Sequence, residues 1–364
     1  MITIIGAGPA GSYLAYLLAK QNKDVTLVEE HSEIGKPVQC TGIMTESIEK
    51  FFKVKNNVLA KKLSKVIVFS KNKRIEANVD EIVVWRNLFD WQIADMAESA
   101  GAKVITNAKF IGLEKNKAVI KDKKNDKNKE INSDIIVGAD GPYSSVAKAA
   151  GIPHQNRYYI GIQAKVKLNA DQNAFETYFG DDFPNFFGWV VPESENIVRL
   201  GLGAIENVQQ YFSKFIEGRT GKKDILCWES GLIPIYNPNQ IIQKNNVYLI
   251  GDAATQVKAT TGGGIIPSLK TAKILADCII NNKNYSREFK KKSGRELTLH
   301  LHLRKILNKF SDKDYDYLLD LMSQKKVKKI LKKYDRDTPI PLVINLLLKE
   351  PRFLKFALKS IGSV

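Results

Sequence analysis

The chain opens on an apolar run, Ile2-Thr-Ile-Ile5, that breaks at once into Gly6-Ala-Gly8-Pro-Ala-Gly11. This pattern predicts a short buried strand, a glycine turn and a helix from about Pro9 through Lys20. Asp24 to Glu29 reads as a second strand ending in a carboxylate. Helical spacing returns from Leu88 to Gly101, with Phe89, Ile93, Met96 and Ala97 apolar and Gly101 as the stop before a strand at Lys103 to Asn107. A meander follows, in which Phe110 to Ile120 and Lys129 to Ile131 flank a polar hairpin tip at Asp122 to Asn128. Asp134 to Gly141 then forms another buried strand, closing on Asp140-Gly141.

From Tyr158 to about Tyr236 the period changes to two, and successive strands of an antiparallel sheet are expected, interrupted by one helix near Val208 to Glu217. Asn246 to Ala254 is again a buried strand, now ending in Gly251-Asp252, and Thr260-Thr-Gly-Gly263-Gly264-Ile265 leads into an apolar helix, Pro267 to Ile280. From Tyr285 onward the chain reads as helical and basic, with amphipathic stretches at Leu342 to Leu348 and Phe353 to Ile361. The expected organisation is a discontinuous nucleotide domain (1–156 and 237–284), an inserted antiparallel β domain (157–236) and a basic helical C-terminal region (285–364).

The first turn carries the first chemistry. Gly6 permits the tight turn, Gly8 lets backbone approach a pyrophosphate, and Gly11 lets helix pack against strand. The helix then aims its unpaired N–H groups and positive dipole end at phosphate. Glu29 follows Gly11 by 18 residues, where its carboxylate can accept from a ribose hydroxyl.

Composition narrows the class. With 364 residues and 44% hydrophobic content, the chain can bury a substantial core. No run approaches the roughly 18 to 20 apolar residues that span a bilayer. The first strand begins at residue 2, so a cytoplasmic protein without a signal peptide is expected. Cys40, Cys227 and Cys278 are far apart with no CxxC pair, which argues against a disulfide framework, a zinc site or an iron–sulfur centre. His300 and His302 stand at i and i+2 in a helical segment and share no face, and His31 and His154 sit in loops, so no metal site is expected. The formal charge of +17 comes mainly from lysine, with runs at Lys290 to Lys292 and Lys325 to Lys333. Two readings stand: a solvated helical face, or attraction to an anionic membrane surface, which places the protein at the inner face of the cell membrane. No nucleic-acid-binding motif accompanies the charge.

Taken in order, GAGPAG with Glu29, Arg86 before a helix, GADG at 138 to 141, and GDAA at 251 to 254 followed by TGGGI resemble the FAD-binding framework of the p-hydroxybenzoate-hydroxylase-type flavoproteins. The fold class implied is α/β, a Rossmann-type FAD-binding domain with an inserted antiparallel-sheet substrate domain and a helical C-terminal region. The resemblance further implies that Asp252 binds the ribitol, Arg86 reaches the flavin's linker, Asp140 and Gly263 belong to the cofactor site, Gly264 and Ile265 lie against the isoalloxazine, and Ala108 offers backbone to adenine. The plainer alternatives are acids that cap the next helix and an Arg86–Asp90 surface pair.

Two further segments resemble the archaeal geranylgeranyl reductases within that group: Gly35-Lys-Pro-Val-Gln-Cys40-Thr41-Gly42 and Pro184-Asn-Phe-Phe187-Gly-Trp189-Val-Val-Pro192. Phe187 stands where that family's motif has tyrosine, and Val191 where it has phenylalanine. The activity implied is saturation of isolated double bonds in the geranylgeranyl chains of isoprenoid membrane lipids or their precursors. An aromatic or quinone-type monooxygenase on the same scaffold is the alternative, and a simple flavin shuttle a third reading. An electron donor is required, and no second GxGxxG domain is present to identify it.

Isolated alkenes are electron-rich, so a proton must accompany the hydride. Cys40, with Thr41 beside it, is the polar, reactive residue that the motif places near the flavin, to relay or position that proton or simply to pack against the ring. Phe187, Trp189 and Pro192 are expected to line an apolar substrate slot or to be ordinary core. Phe186 and Phe187 are expected in one strand and so on opposite faces, which leaves at most one of them to line the slot.

Overall fold

Strand Ile2–Ile5 is buried along its whole length and is paired in parallel on both sides, with Val25–Val28 and with Ile135–Gly138. This is the central position that a continuous apolar run favours. The computed structural model describes residues 1–153, 157–221 and 225–359; His154 and Ile361 lie outside them. The six-stranded sheet is completed by Lys103–Ile105 on one side and by Val247–Leu249 and Gln243–Lys244 on the other. All its pairings are parallel except the last; helix Pro9–Ala19 connects Ile2–Ile5 to Val25–Val28, and helix Arg86–Ser99 leads into Lys103–Ile105. The expected meander is a separate three-stranded sheet, Ala108–Glu114, Lys117–Asp122 and Lys127–Asn132.

A second sheet has eight strands. Tyr158–Lys167, Ile197–Ala204, Gly188–Ser194 and Ala174–Tyr178 pair antiparallel in that spatial order, as the period of two predicts. One face is covered by helix Val208–Thr220, whose Phe212, Phe215 and Ile216 pack on Ala164, Val166, Val190, Val198, Leu200 and Leu202.

Two compact units result, and their boundaries correct the expected ones. The first comprises Met1–Val38, Trp85–Arg157 and Pro234–Thr298, the second Gln39–Val84, Tyr158–Ile233 and Leu299–Val364. Residues 39–84 leave the nucleotide domain because strand Leu59–Phe69 pairs with Ala174–Tyr178, from Lys65↔Ala174 to Phe69↔Tyr178, and Arg74–Val84 continues the same sheet. That pairing is parallel, so the second sheet is mixed rather than purely antiparallel. The C-terminal segment likewise divides between the two units at Thr298 instead of forming a third.

Candidate functional site

In the first unit the three glycines of the opening turn have different neighbours. Gly6 has φ +101°, and a Cβ there would stand 2.3 Å from the Ala139 carbonyl oxygen; at Gly11 it would stand 2.0 Å from that of Gly6. Both are excluded to any side chain by the protein itself. Gly8 has nothing within 4 Å of its virtual Cβ, and its φ of −67° is open to any residue. The first turn of helix Pro9–Ala19 has no side-chain cap and no acidic residue. A diphosphate fits this cradle, since Gly8 leaves open space beside a helix start that no side chain caps.

Glu29 stands at the end of its strand and braces that turn. One carboxylate oxygen accepts the Ala7 N–H at 2.9 Å, and the other accepts the His31 N–H at 3.0 Å and lies 2.6 Å from His31 Nδ1. His31, in the loop expected for it, is therefore a partner of Glu29. The Ala108 N–H donates to the Glu29 carbonyl at 2.9 Å, which ties the backbone expected to serve adenine to the end of the Glu29 strand.

Asp140 is engaged at a helix start. Its carboxylate accepts from the Ser144 hydroxyl (2.6 Å) and the Val146 N–H (3.0 Å), capping helix Ser145–Ala149, and burial pushes its carboxyl above the usual range. Arg86 does pair with Asp90, through Nε at 3.1 Å and Nη2 at 2.9 Å, but Asp90 is buried and Arg86 partly so, rather than both lying on the surface. Burial raises the Asp90 carboxyl, and the Arg86 guanidinium opposes that rise.

Asp252 caps no helix. Burial lifts its carboxyl to about 6, with the charge of Arg86 acting the other way. Its Oδ1 would stand 3.0 Å from a Cβ at Gly264, the N-cap of helix Ile265–Ile280, which also lacks a side-chain cap and an acidic first turn. Asp252, Gly264 and Ile265 thus meet at a second open helix start. Beside it lies buried Lys258, whose Nζ would be 3.4 Å from a Cβ at Gly263; the sequence signal was a lysine just ahead of TTGGG.

In the second unit, the sheet face opposite helix Val208–Thr220 carries Gln163, Gly201 and Trp189 side by side on three adjacent strands. Gly201 leaves room for the indole to lie flat, since a Cβ there would be 2.6 Å from Trp189 Cε2 and Cζ2. The indole N–H donates to Gln163 Oε1 at 3.1 Å, the Thr41 hydroxyl donates to the same oxygen at 2.9 Å, and the Gln163 amide donates to Glu229. One row further along, buried Arg199 binds Glu193 and donates to the Thr41 carbonyl, while Lys165 reaches Glu193 at 3.0 Å. Both sides of Thr41 are thereby fixed to the sheet. Cys40 stands beside it, half-buried, its Sγ accepting the Gly42 N–H at 3.4 Å.

Among the expected slot residues, Phe187 and Trp189 are half-buried with ring centroids 5.8 Å apart. Pro192 is buried and alternates onto the other face, opposite Val198 of the covered core, so it lines no surface with Trp189. Phe186 and Phe187 precede the strand Gly188–Ser194, escape its alternation, and stack with centroids 4.4 Å apart. Phe186 is clamped by buried Arg304, which lies 5.0 Å from its ring and donates to its carbonyl at 3.3 Å. Gln163, Arg199 and Arg304 carried no sequence signal, because single polar residues in apolar strands or helices look like solvent-facing ones.

A Rossmann-type parallel sheet with two open helix starts, joined in one chain to a sheet bearing an aromatic wall, defines an FAD-dependent flavoprotein, and residues 1–219 match the FAD binding domain family. The chain belongs to that family and, within it, to the digeranylgeranylglycerophospholipid reductase family. It is 30% identical to the reductase of that name from Methanocaldococcus jannaschii over 98% of this chain and 96% of the relative, and 26% identical to that from Methanosarcina acetivorans over 89% of each. Among solved structures, a geranylgeranyl bacteriochlorophyll reductase-like protein from Thermoplasma acidophilum shares the fold with a TM-score of 0.86 at 22% identity over 97% of both chains. The flavin-dependent brominase Bmp2 also shares it, with a TM-score of 0.73 at 14% identity over 97% of this chain and 99% of that one.

Proposed function

We propose that this flavoprotein saturates isolated double bonds in the geranylgeranyl chains of isoprenoid membrane lipids or their precursors, and that it does so at an anionic membrane surface. Bound FAD, once reduced by an external donor, supplies the hydride. The chain's own residues have three tasks. The open side of Gly8, the uncapped helix starts and Asp252 hold the cofactor, by diphosphate and ribitol. Phe187 and Trp189 offer apolar π-faces, which exclude water and favour positive charge developing on the tertiary alkene carbon. Cys40 relays or positions the proton that the less substituted carbon receives; a thiol alone is a feeble acid toward an alkene, so it works with a water or donor that it orients.

The observation that carries this reading is the Gln163 oxygen taking both Trp189 and Thr41, which holds an aromatic wall and the thiol turn on one sheet face. The test is anaerobic. The yellow protein is reduced with dithionite, a geranylgeranylated glycerolipid is added, and flavin reoxidation and lipid mass are followed together. Reoxidation with two hydrogens gained per double bond is expected. Unchanged lipid, with flavin reoxidised only when oxygen enters, favours a monooxygenase, and protein without flavin overturns both.

A further inference from the structure

Helix Lys325–Lys333 is divided between two environments. Val327 and Ile330 are buried, while its six lysines, 325, 326, 328, 329, 332 and 333, are all exposed. Among the described residues only Lys326 of these meets a carboxylate, Glu350 at 3.0 Å. Packed against it is helix Pro339–Lys349, with the sequence PIPLVINLLLK, in which only Pro339 is buried. Ile340, Ile344 and Leu348, at i, i+4 and i+8, are 36%, 51% and 73% exposed, and Leu354 beyond Pro351 is 50% exposed.

A helix this apolar gains roughly 1.5 to 3 kcal/mol for each Leu or Ile taken out of water, so a bare stripe marks a surface that is covered by something. At about 1.5 Å per residue the helix is about 16 Å long, half the roughly 30 Å of a hydrocarbon core, so it cannot cross a bilayer and can only lie along one. Charge selects the occupant. A second copy would bring six more lysines against these six, whereas anionic headgroups attract them, and lysines beside an exposed Leu/Ile stripe form the pattern of interfacial helices.

We propose that Ile340, Ile344, Leu348 and Leu354 insert in plane at the headgroup boundary of an anionic bilayer while the lysines of 325–333 bind its phosphates. This deepens the membrane-docking reading above by naming the element that enters the lipid.

The holoprotein is tested by flotation with phosphatidylglycerol/phosphatidylcholine vesicles and with phosphatidylcholine alone. Wild type is expected to float with the anionic vesicles, and I344E/L348E to bind them at least tenfold more weakly while keeping its FAD and its turnover of detergent-dispersed lipid. L348W, which keeps the apolar surface, is expected to gain blue-shifted emission quenched by brominated lipid, and I111W, on an exposed strand of the first unit, is not. Equal binding by I344E/L348E, or bound L348W that brominated lipid leaves unquenched, overturns the inserted stripe and leaves charge alone. No flotation of wild type overturns membrane docking itself, whatever the reductase assay reads. A wild-type dimer that I344E/L348E converts to monomer, without vesicle binding, assigns the stripe to a second copy.

Discussion

Gly201 lies directly beneath the indole of Trp189, with a virtual Cβ 2.6 Å from two of its ring carbons. The glycine is therefore what lets the tryptophan lie flat and reach Gln163. Gly201→Ala is expected to tilt the ring, break that hydrogen bond and cost about 1 to 3 kcal/mol, the usual range for overpacking. Thermal unfolding and a shift in tryptophan emission, with FAD content retained, would check it. Gln163→Leu should also release the Thr41 hydroxyl and lower kcat more than KM rises; a normal kcat would remove the row from the mechanism.

The glycines of the first turn should separate folding from cofactor binding. Gly6→Ala and Gly11→Ala force a side chain into backbone and are expected to leave little soluble protein. Gly8→Ala fills open space, so its apoprotein should melt with wild type while FAD affinity falls at least tenfold. Calorimetry of apoprotein beside FAD titration reads the two effects separately, and a Gly8→Ala protein that binds FAD normally would place the diphosphate elsewhere.

Asp252 gives a pH dependence of definite sign. Its carboxyl is raised to about 6 in the fold. The native state thus prefers the protonated form, and the stability this contributes is complete below the ordinary value of about 4 and lost as pH rises through 6. Two units correspond to a ceiling of about 3 kcal/mol. Apoprotein Asp252→Asn is expected to lack this fall, and so to be more stable than wild type at pH 7.5 but not at pH 4, while binding FAD more weakly. Urea unfolding at the two pH values measures it.

Cys40→Ala should leave flavin content and dithionite reduction intact and slow lipid-driven reoxidation at least tenfold, with Cys40→Ser recovering part of the loss by keeping an acceptor for the Gly42 N–H. Stopped-flow traces under nitrogen distinguish the steps. Equal reoxidation rates in wild type and Cys40→Ala would reduce Cys40 to packing.

The glycine turn, the strand ending at Glu29 and the two-residue period after Tyr158 were legible because each depends on local steric or periodic rules. What escaped was long-range pairing. The apolar run Val66 to Phe69 is consistent with a strand, but nothing nearby says that its neighbour is Ala174–Tyr178 rather than the nucleotide sheet. Asp140 and Asp252 both follow buried strands in Gly-rich turns, and only the placement of Ser144 makes one a cap. Pro192 was misplaced by treating a motif as a surface, when strand alternation turns its ends to opposite sides.

The interleaving of segments has a consequence for synthesis on the ribosome. Strand Val247–Leu249 pairs with Ile135–Gly138 but is translated only after the central strands of the other sheet. The first sheet therefore waits, one edge unpaired, while roughly a hundred intervening residues emerge, a delay of about 5 to 20 s at ordinary elongation rates. Neither unit exists as a contiguous stretch of chain, so neither can be expressed by a single truncation. A nascent chain stalled before Val247 should be the species most dependent on chaperones and most open to protease.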